Sequence, residues 1–221
     1  MGHSMGGGQV LTYTLHPDSP YKDKTVSLAG VLVYSPLIAL DPSYRPSKVY
    51  LTGGRLAARV FPRWQRLSPI DPALMSRDKS VVADYAADPL CHDIGTLEGL
   101  AGMLERAEWL ENMHGSSGLD PETLKSRLLP MWFAHGEADG VTSCGATKRF
   151  VDGLRRRGVV DVEFVSYEGA YHNLHADLLE TKSRFVRDLV RWVLDRSWVS
   201  GNGDVGVEER KGSVVEYKAK L

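Results

Sequence analysis

Three side chains in this sequence could together run acyl transfer: Ser4, Asp139 and His172. Gly2-His3-Ser4-Met5-Gly6 fits the pattern G-x-S-x-G, which presents a serine on a sharp turn between a strand and a helix. A serine hydroxyl is a poor nucleophile near neutral pH, so a base must take its proton during attack. Imidazole suits that task because its pKa lies close to the working pH. His172, in "GAYHNLH", supplies one. A carboxylate then fixes the imidazole tautomer and stabilises the imidazolium. Asp139, in "HGEADG", fills that place, 33 residues before His172. The backbone N–H of Met5, next after the nucleophile, would donate one oxyanion-hole bond. Losing one such donor costs roughly 3–4 kcal/mol of transition-state stabilisation.

Each residue alone has a plainer reading. G-x-S-x-G in a glycine-rich stretch can be a flexible loop, and an aspartate after a strand is often a turn former or helix cap. His172 with His175 could be a metal pair, but no third ligand is evident, and the chemistry needs no metal or cofactor. Cys91-His92-Asp93 holds catalytic residue types, yet chain neighbours rarely face each other, so it reads as part of an inserted segment. Cys144 reads as a packed thiol, and Arg155-Arg156-Arg157 as a solvated helix end.

The elements that must position the three side chains follow from pattern. Residues 5–15 read as a short helix whose small residues pack close behind the serine, ended by His16-Pro17. "LAGVLVYSPLIAL" is a continuous apolar, β-branched run, and predicts a strand over 29–35 buried on both faces. Residues 128–135 and 162–167 predict two further strands, each running into a loop that carries one candidate. Helices follow at 143–158 and 175–198, the second with Leu178, Phe185, Leu189, Trp192 and Val193 on one side. Strand, helix, strand, helix at this spacing means βαβ units and a parallel sheet, where catalytic groups gather at the carboxyl ends of the strands. Between the halves the character changes. Residues 41–125 are helical in composition and broken by prolines. Leu56, Val60 and Phe61 lie roughly on one helix face, and a helix over 95–113 has a threonine cap. Residues 49–64 read as core. The division expected is 1–40 for serine turn, helix and strand; 41–125 for an inserted helical cap; 126–198 for the remaining strands and helices; and a disordered tail over 199–221.

The 221 residues carry 43% hydrophobic and 25% charged residues, ordinary for a soluble globular chain. A net charge of −1 argues against nucleic acid as a partner. Two cysteines cannot build a disulfide framework, no apolar run approaches a membrane span, and the first residues do not read as a signal peptide. These totals point to a cytoplasmic protein.

"GHSMGGG", "DPLCHDIGTLEGLAGMLER", "HGEADGVTS" and "YEGAYHNLHAD" together resemble monoacylglycerol lipases of the α/β-hydrolase superfamily, across about residues 2–195. The resemblance implies hydrolysis of a monoacylglycerol to fatty acid and glycerol through an acyl-enzyme. It implies Ser4 as nucleophile, His172 as base and acid, and Asp139 as orienting carboxylate. It makes 41–125 a cap over an acyl tunnel, and gives 49–64 a second role in peripheral contact with lipid droplets or membranes. The alternatives are another acyl hydrolase of the superfamily (lysophospholipase, carboxylesterase or aminopeptidase) or an inactive lipid-binding fragment.

The departure from that family is large. Its fold has about eight strands with the serine turn after the fifth, so this chain is expected to hold a partial α/β-hydrolase fold with only the last three. The strand feeding the turn is expected to be absent, as is the loop supplying a second oxyanion donor. Strand 29–35 would then be an exposed apolar edge, and Ser4 would lack its strained turn. A truncated chain of this kind is expected to be poorly soluble or nearly inactive.

Overall fold

The computed structural model describes residues 1–20, 28–113 and 129–197. Its centre is a four-stranded, wholly parallel sheet of β1 (Gly2–His3), β2 (Val31–Tyr34), β5 (Met131–Gly136) and β6 (Val162–Tyr167), in that spatial order. One strand more than expected is present. β1 has only two residues, yet it pairs Gly2 with Val33 and His3 with Tyr34. So β2 is an interior strand rather than the exposed edge expected from the sequence.

Both faces of the sheet are covered, which is why its middle strands read as unbroken apolar runs. On β5 the alternation is direct. Met131 and Phe133 face one core, with Leu11 and Leu15 of α1 (Ser4–Leu15), Phe150, Val151 and Leu154 of α5 (Cys144–Arg156), and Leu110 of α4 (Leu97–Asn112). Trp132 and Ala134 face the other core, with Tyr34, Tyr167, and Phe185 and Trp192 of α6 (Leu179–Ser197).

α5 is capped by Ser143, whose hydroxyl accepts from Ala146 N–H, and ends with Arg155 and Arg156 in its last turn, as a helix dipole favours. The long last helix expected from residue 175 instead begins at Leu179, after a single 3-10 turn over Leu174–Ala176. Buried Asp177 causes the break, because its carboxylate accepts from Tyr171 N–H and Leu178 N–H, outside any helical ladder. The buried stripe is therefore Phe185, Leu189 and Trp192, while Leu178 and Val193 face outward.

Between β2 and β5 the chain leaves the sheet. It builds α2 (Lys48–Val60), a short antiparallel pair β3 (Gln65–Leu67) and β4 (Ile94–Thr96), α3 (Lys79–Ala87) and α4. The short strand pair went unseen because three-residue strands carry no usable periodicity. Thr96 caps α4 as expected, accepting from Gly99 N–H at 3.2 Å. α2 and its exit differ from expectation. Val49, Leu56, Val60, Phe61 and Trp64 are each more than half exposed, so residues 49–64 are not a core segment. The remainder of the expected cap, 114–125, and the tail over 199–221 lie outside the described residues.

Candidate active site

β1 ends where Ser4 begins α1, and Ser4 takes φ = 52°. A serine in that left-handed region is strained and persists only where its surroundings fix it. Here they do. Gly2 and His3 are hydrogen-bonded to β2, and Ser4 C=O accepts from Leu37 N–H at 2.8 Å. The turn is also tight enough to demand glycine: a Cβ on Gly2 would lie 2.6 Å from Gly6 O, and one on Gly8 2.7 Å from Leu37 O. The expectation that Ser4 would lack a supporting strand and a strained turn is therefore corrected. Two paired residues, a close helix and one clamp from the β2 exit suffice.

His172 and Asp139 arrive on the loops after β6 and β5. His172 Nε2 is 2.9 Å from Ser4 Oγ, and His172 Nδ1 is 2.8 Å from Asp139 Oδ2. The three candidates thus form one chain of hydrogen bonds. Asp139 and His172 are nearly fully buried, while Ser4 is partly exposed. Asp139 is held by its own turn: Oδ1 accepts from Val141 N–H (2.8 Å) and Thr142 N–H (3.0 Å), and Oδ2 accepts from Thr142 Oγ1 (2.9 Å). His135 Nε2 also faces Oδ2, at 3.1 Å, while its Nδ1 meets Thr147 Oγ1 at 2.9 Å. A proton on His135 Nε2 serves both contacts: Nε2–H donates to Asp139 Oδ2, and Nδ1 accepts from Thr147 Oγ1. Burial alone would raise the Asp139 carboxyl. Hydrogen bonds from His135 and His172, together with their charges, outweigh it and hold the group far below the usual carboxylate range. Asp139 is therefore an anion at any pH where the imidazole can act.

Several supporting residues escaped sequence reasoning. Ser35 Oγ donates to His172 C=O at 2.8 Å and so fixes the backbone of the base. Gly136 lets the two loops approach, since a Cβ there would lie 2.4 Å from Ala170 O and 2.5 Å from Tyr171 O. His3, inside the serine motif, stacks on Tyr34 (centroids 4.4 Å apart) and lies 4.8 Å from the His172 ring. Local turn chemistry in "HGEADGVTS" could have flagged Thr142. Ser35 and His3 carry no signal, because only the fold brings them to His172.

His3 is pushed down to about 3, first by burial and then by the neighbouring His172 and His175. The unfolded chain therefore binds a proton at His3 below about pH 6.5 that the folded chain refuses. The sign follows: its cost is absent above pH 6.5 and grows as pH falls toward 3, at up to ~1.4 kcal/mol per unit. Urea midpoints between pH 7 and 4 should fall, and His3→Gln should flatten that slope. An unchanged slope would remove His3 as its source.

The other candidates lie apart from this chain of contacts. His175 Nδ1 meets Tyr34 OH at 3.3 Å, and among the described residues no cluster of three His, Cys, Asp or Glu could hold a metal. Cys91-His92-Asp93 sits between α3 and β4, where Asp93 accepts from Ile70 N–H and His92 from Ile94 N–H. The Cys144 thiol, at the start of α5, is pushed up to about 11 by burial and by nearby Glu137 and Asp139. It is a poor nucleophile there. Met5 is the second residue of α1, so its N–H is one of the unpaired donors of the helix's first turn, beside Ser4.

A left-handed serine between a parallel strand and a helix, with a histidine and an aspartate on the loops after two later strands, is the arrangement of an α/β-hydrolase fold. Comparison with known proteins agrees. Residues 1–178 match the family described as serine aminopeptidase, S33, and the chain belongs to that family. It is 28% identical over 196 residues to a putative monoglyceride lipase of Schizosaccharomyces pombe, covering 89% of this chain and 47% of that one. It is 26% identical over 211 residues to monoglyceride lipase of Mus musculus, covering 92% and 60%. A soluble variant of monoglyceride lipase from Saccharomyces cerevisiae, solved with a substrate analog, superposes with a TM-score of 0.73 at 22% identity, over 88% of this chain and 61% of that one. The chain thus spans about half to three fifths of these relatives' length.

Proposed function

We propose that this chain is a serine ester hydrolase that cleaves monoacylglycerol to fatty acid and glycerol. The observation that carries the reading is the continuous pair of hydrogen bonds from Ser4 through His172 to Asp139, at 2.9 and 2.8 Å. In this mechanism Ser4 Oγ attacks the ester carbonyl carbon while His172 Nε2 takes its proton. Negative charge on the carbonyl oxygen is met by Met5 N–H at the positive end of α1. The intermediate collapses, glycerol leaves with the proton from His172, and the acyl group stays on Ser4. Water, deprotonated by His172, then releases the fatty acid. Asp139 remains ionised throughout and holds the imidazole tautomer.

A place for the acyl chain lies near Asp139. A cavity of about 320 Å³ is lined by Leu40, Leu51, Leu97, Leu100, Leu104 and Val141, among others. Val141 is also the residue whose N–H binds Asp139, so one wall of the cavity touches the triad's support. This supports the described part of residues 41–125, up to 113, as a cap, and an acyl ester over an aminoacyl amide. The outward apolar side chains around α2 and Trp64 support peripheral contact with a lipid surface. No helix among the described residues is long and apolar enough to cross a membrane.

A chain-length series of glyceryl esters against aminoacyl amides tests the substrate class. The rate is expected to rise with acyl length and to rise again when the ester is presented in phosphatidylcholine vesicles, a rise that Trp64→Ser removes. Preference for the amides would overturn the reading. Slow turnover was expected on three grounds: a missing strand, a missing turn and a missing second donor. The described β1 and the φ of Ser4 remove the first two.

A further inference from the structure

The inserted segment does more than border a cavity. Residues 74–77, which run on from the last residue of a 3-10 turn (Pro72–Leu74), are bonded along the loop that carries His172. Leu74 C=O accepts from His172 N–H at 3.3 Å, and Met75 C=O from Asn173 N–H at 2.8 Å. Ser76 Oγ donates to Ala176 C=O at 2.7 Å. Arg77 then closes the series with a fork: Nε donates to Asp177 Oδ1 at 2.9 Å and Nη2 to Thr181 Oγ1 at 2.7 Å. Met75, Ser76 and Asp177 are buried, and Arg77 and Thr181 are partly so. Asp177 in turn accepts from Tyr171 N–H through Oδ2, which ties the guanidinium to the residue before the base. The Leu74 side chain also packs over Gly140, beside Asp139, within 3.0 Å of where a Cβ would stand. One four-residue stretch therefore braces both the acid loop and the base loop.

We propose that Arg77 is a positioning residue for His172, acting through Asp177 and the Tyr171 amide, so that the inserted segment sets the geometry of the triad. This rests on the hydrolase reading above. Arginine suits the task because its planar fork reaches two acceptors at fixed angles, which lysine cannot do. A misplacement of the base by about 1 Å can cost on the order of a hundredfold in rate.

The test compares the full chain with Arg77→Met, Arg77→Lys, Thr181→Ala and Ser4→Ala, using a short-chain glyceryl ester and a fluorophosphonate probe read by intact mass. Arg77→Met is expected to lower kcat about tenfold or more with KM within about twofold, because the base moves while the acyl cavity does not. Arg77→Lys should recover part of the loss, since an ammonium still reaches Asp177. Arg77→Met leaves Asp177 buried and uncompensated and could unfold the chain. Thr181→Ala removes only the second arm of the fork, and should show a smaller fall in kcat with KM again unmoved. If the parent labels at Ser4 and the folded Arg77 and Thr181 variants match its kcat, or lose only in KM, the positioning role is overturned and the hydrolase reading stands. A parent that takes no label at Ser4 overturns both.

Discussion

Asp139→Asn is expected to lower kcat/KM for a glyceryl ester by about 10⁴-fold, although the change is isosteric. The surrounding donors decide why. Two backbone N–H groups, of Val141 and Thr142, point at Oδ1. They recruit the amide oxygen of an asparagine to that position. The NH₂ is then forced into the Oδ2 place, where it faces His172 Nδ1 at about the 2.8 Å seen for the carboxylate. An NH₂ there can only donate, so His172 Nδ1 becomes an acceptor and its proton moves to Nε2. That is the tautomer that cannot take a proton from Ser4. The substitution also confronts His135 Nε2–H and Thr142 Oγ1–H with a donor where both had an acceptor. A fall in stability at neutral pH should accompany the loss of rate, because the native carboxylate is held well below its usual pKa. Its share of stability is present above the carboxylate's unfolded pKa and lost as pH falls through the folded one. Steady-state kinetics with a urea titration at pH 7 read both effects. A loss under about tenfold would mean that Asp139 does not set the tautomer.

Ser4→Ala is expected to have the larger effect, about 10⁶-fold in kcat. Removal of the nucleophile leaves only binding and any oxyanion donors, which act on water alone. The informative companion is His172→Ala and the double variant. Residues that act as one unit do not contribute additively, so the double should be no slower than Ser4→Ala within about threefold. If the losses multiplied instead, Ser4 and His172 would be working independently, and the 2.9 Å contact between them would not be a catalytic one.

The parallel core was legible because its strands are buried on both faces. Val31, Val33, Met131 and Phe133 serve one core, and Tyr34, Trp132 and Ala134 the other, and together they leave continuous apolar runs. The three candidates could be picked out because each carries chemistry in its residue type and falls where a strand ends. β1 was not, since two residues have no periodicity, and its pairing depends on the edge of β2 being free to receive it. Nor was the break at Asp177, where a carboxylate binding Tyr171 N–H overrides a helical pattern that the sequence runs straight through. The outward face of α2 misled for a related reason. An apolar stripe says that a helix wants a partner, and says nothing of whether that partner is the core, another segment or a lipid surface. The struts at His172, from Ser35 and from residues 74–77, lie at long sequence separation and have no local signature at all.

The proposed hydrolysis turns on whether Ser4, His172 and Asp139 assemble into a working nucleophile in this chain. Fluorophosphonate labelling of the purified 221-residue chain, beside Ser4→Ala and read by intact mass, tests it most directly. One adduct per chain is expected on the parent and none on Ser4→Ala. A folded parent that stays unlabelled, or an adduct that persists on Ser4→Ala, would contradict it.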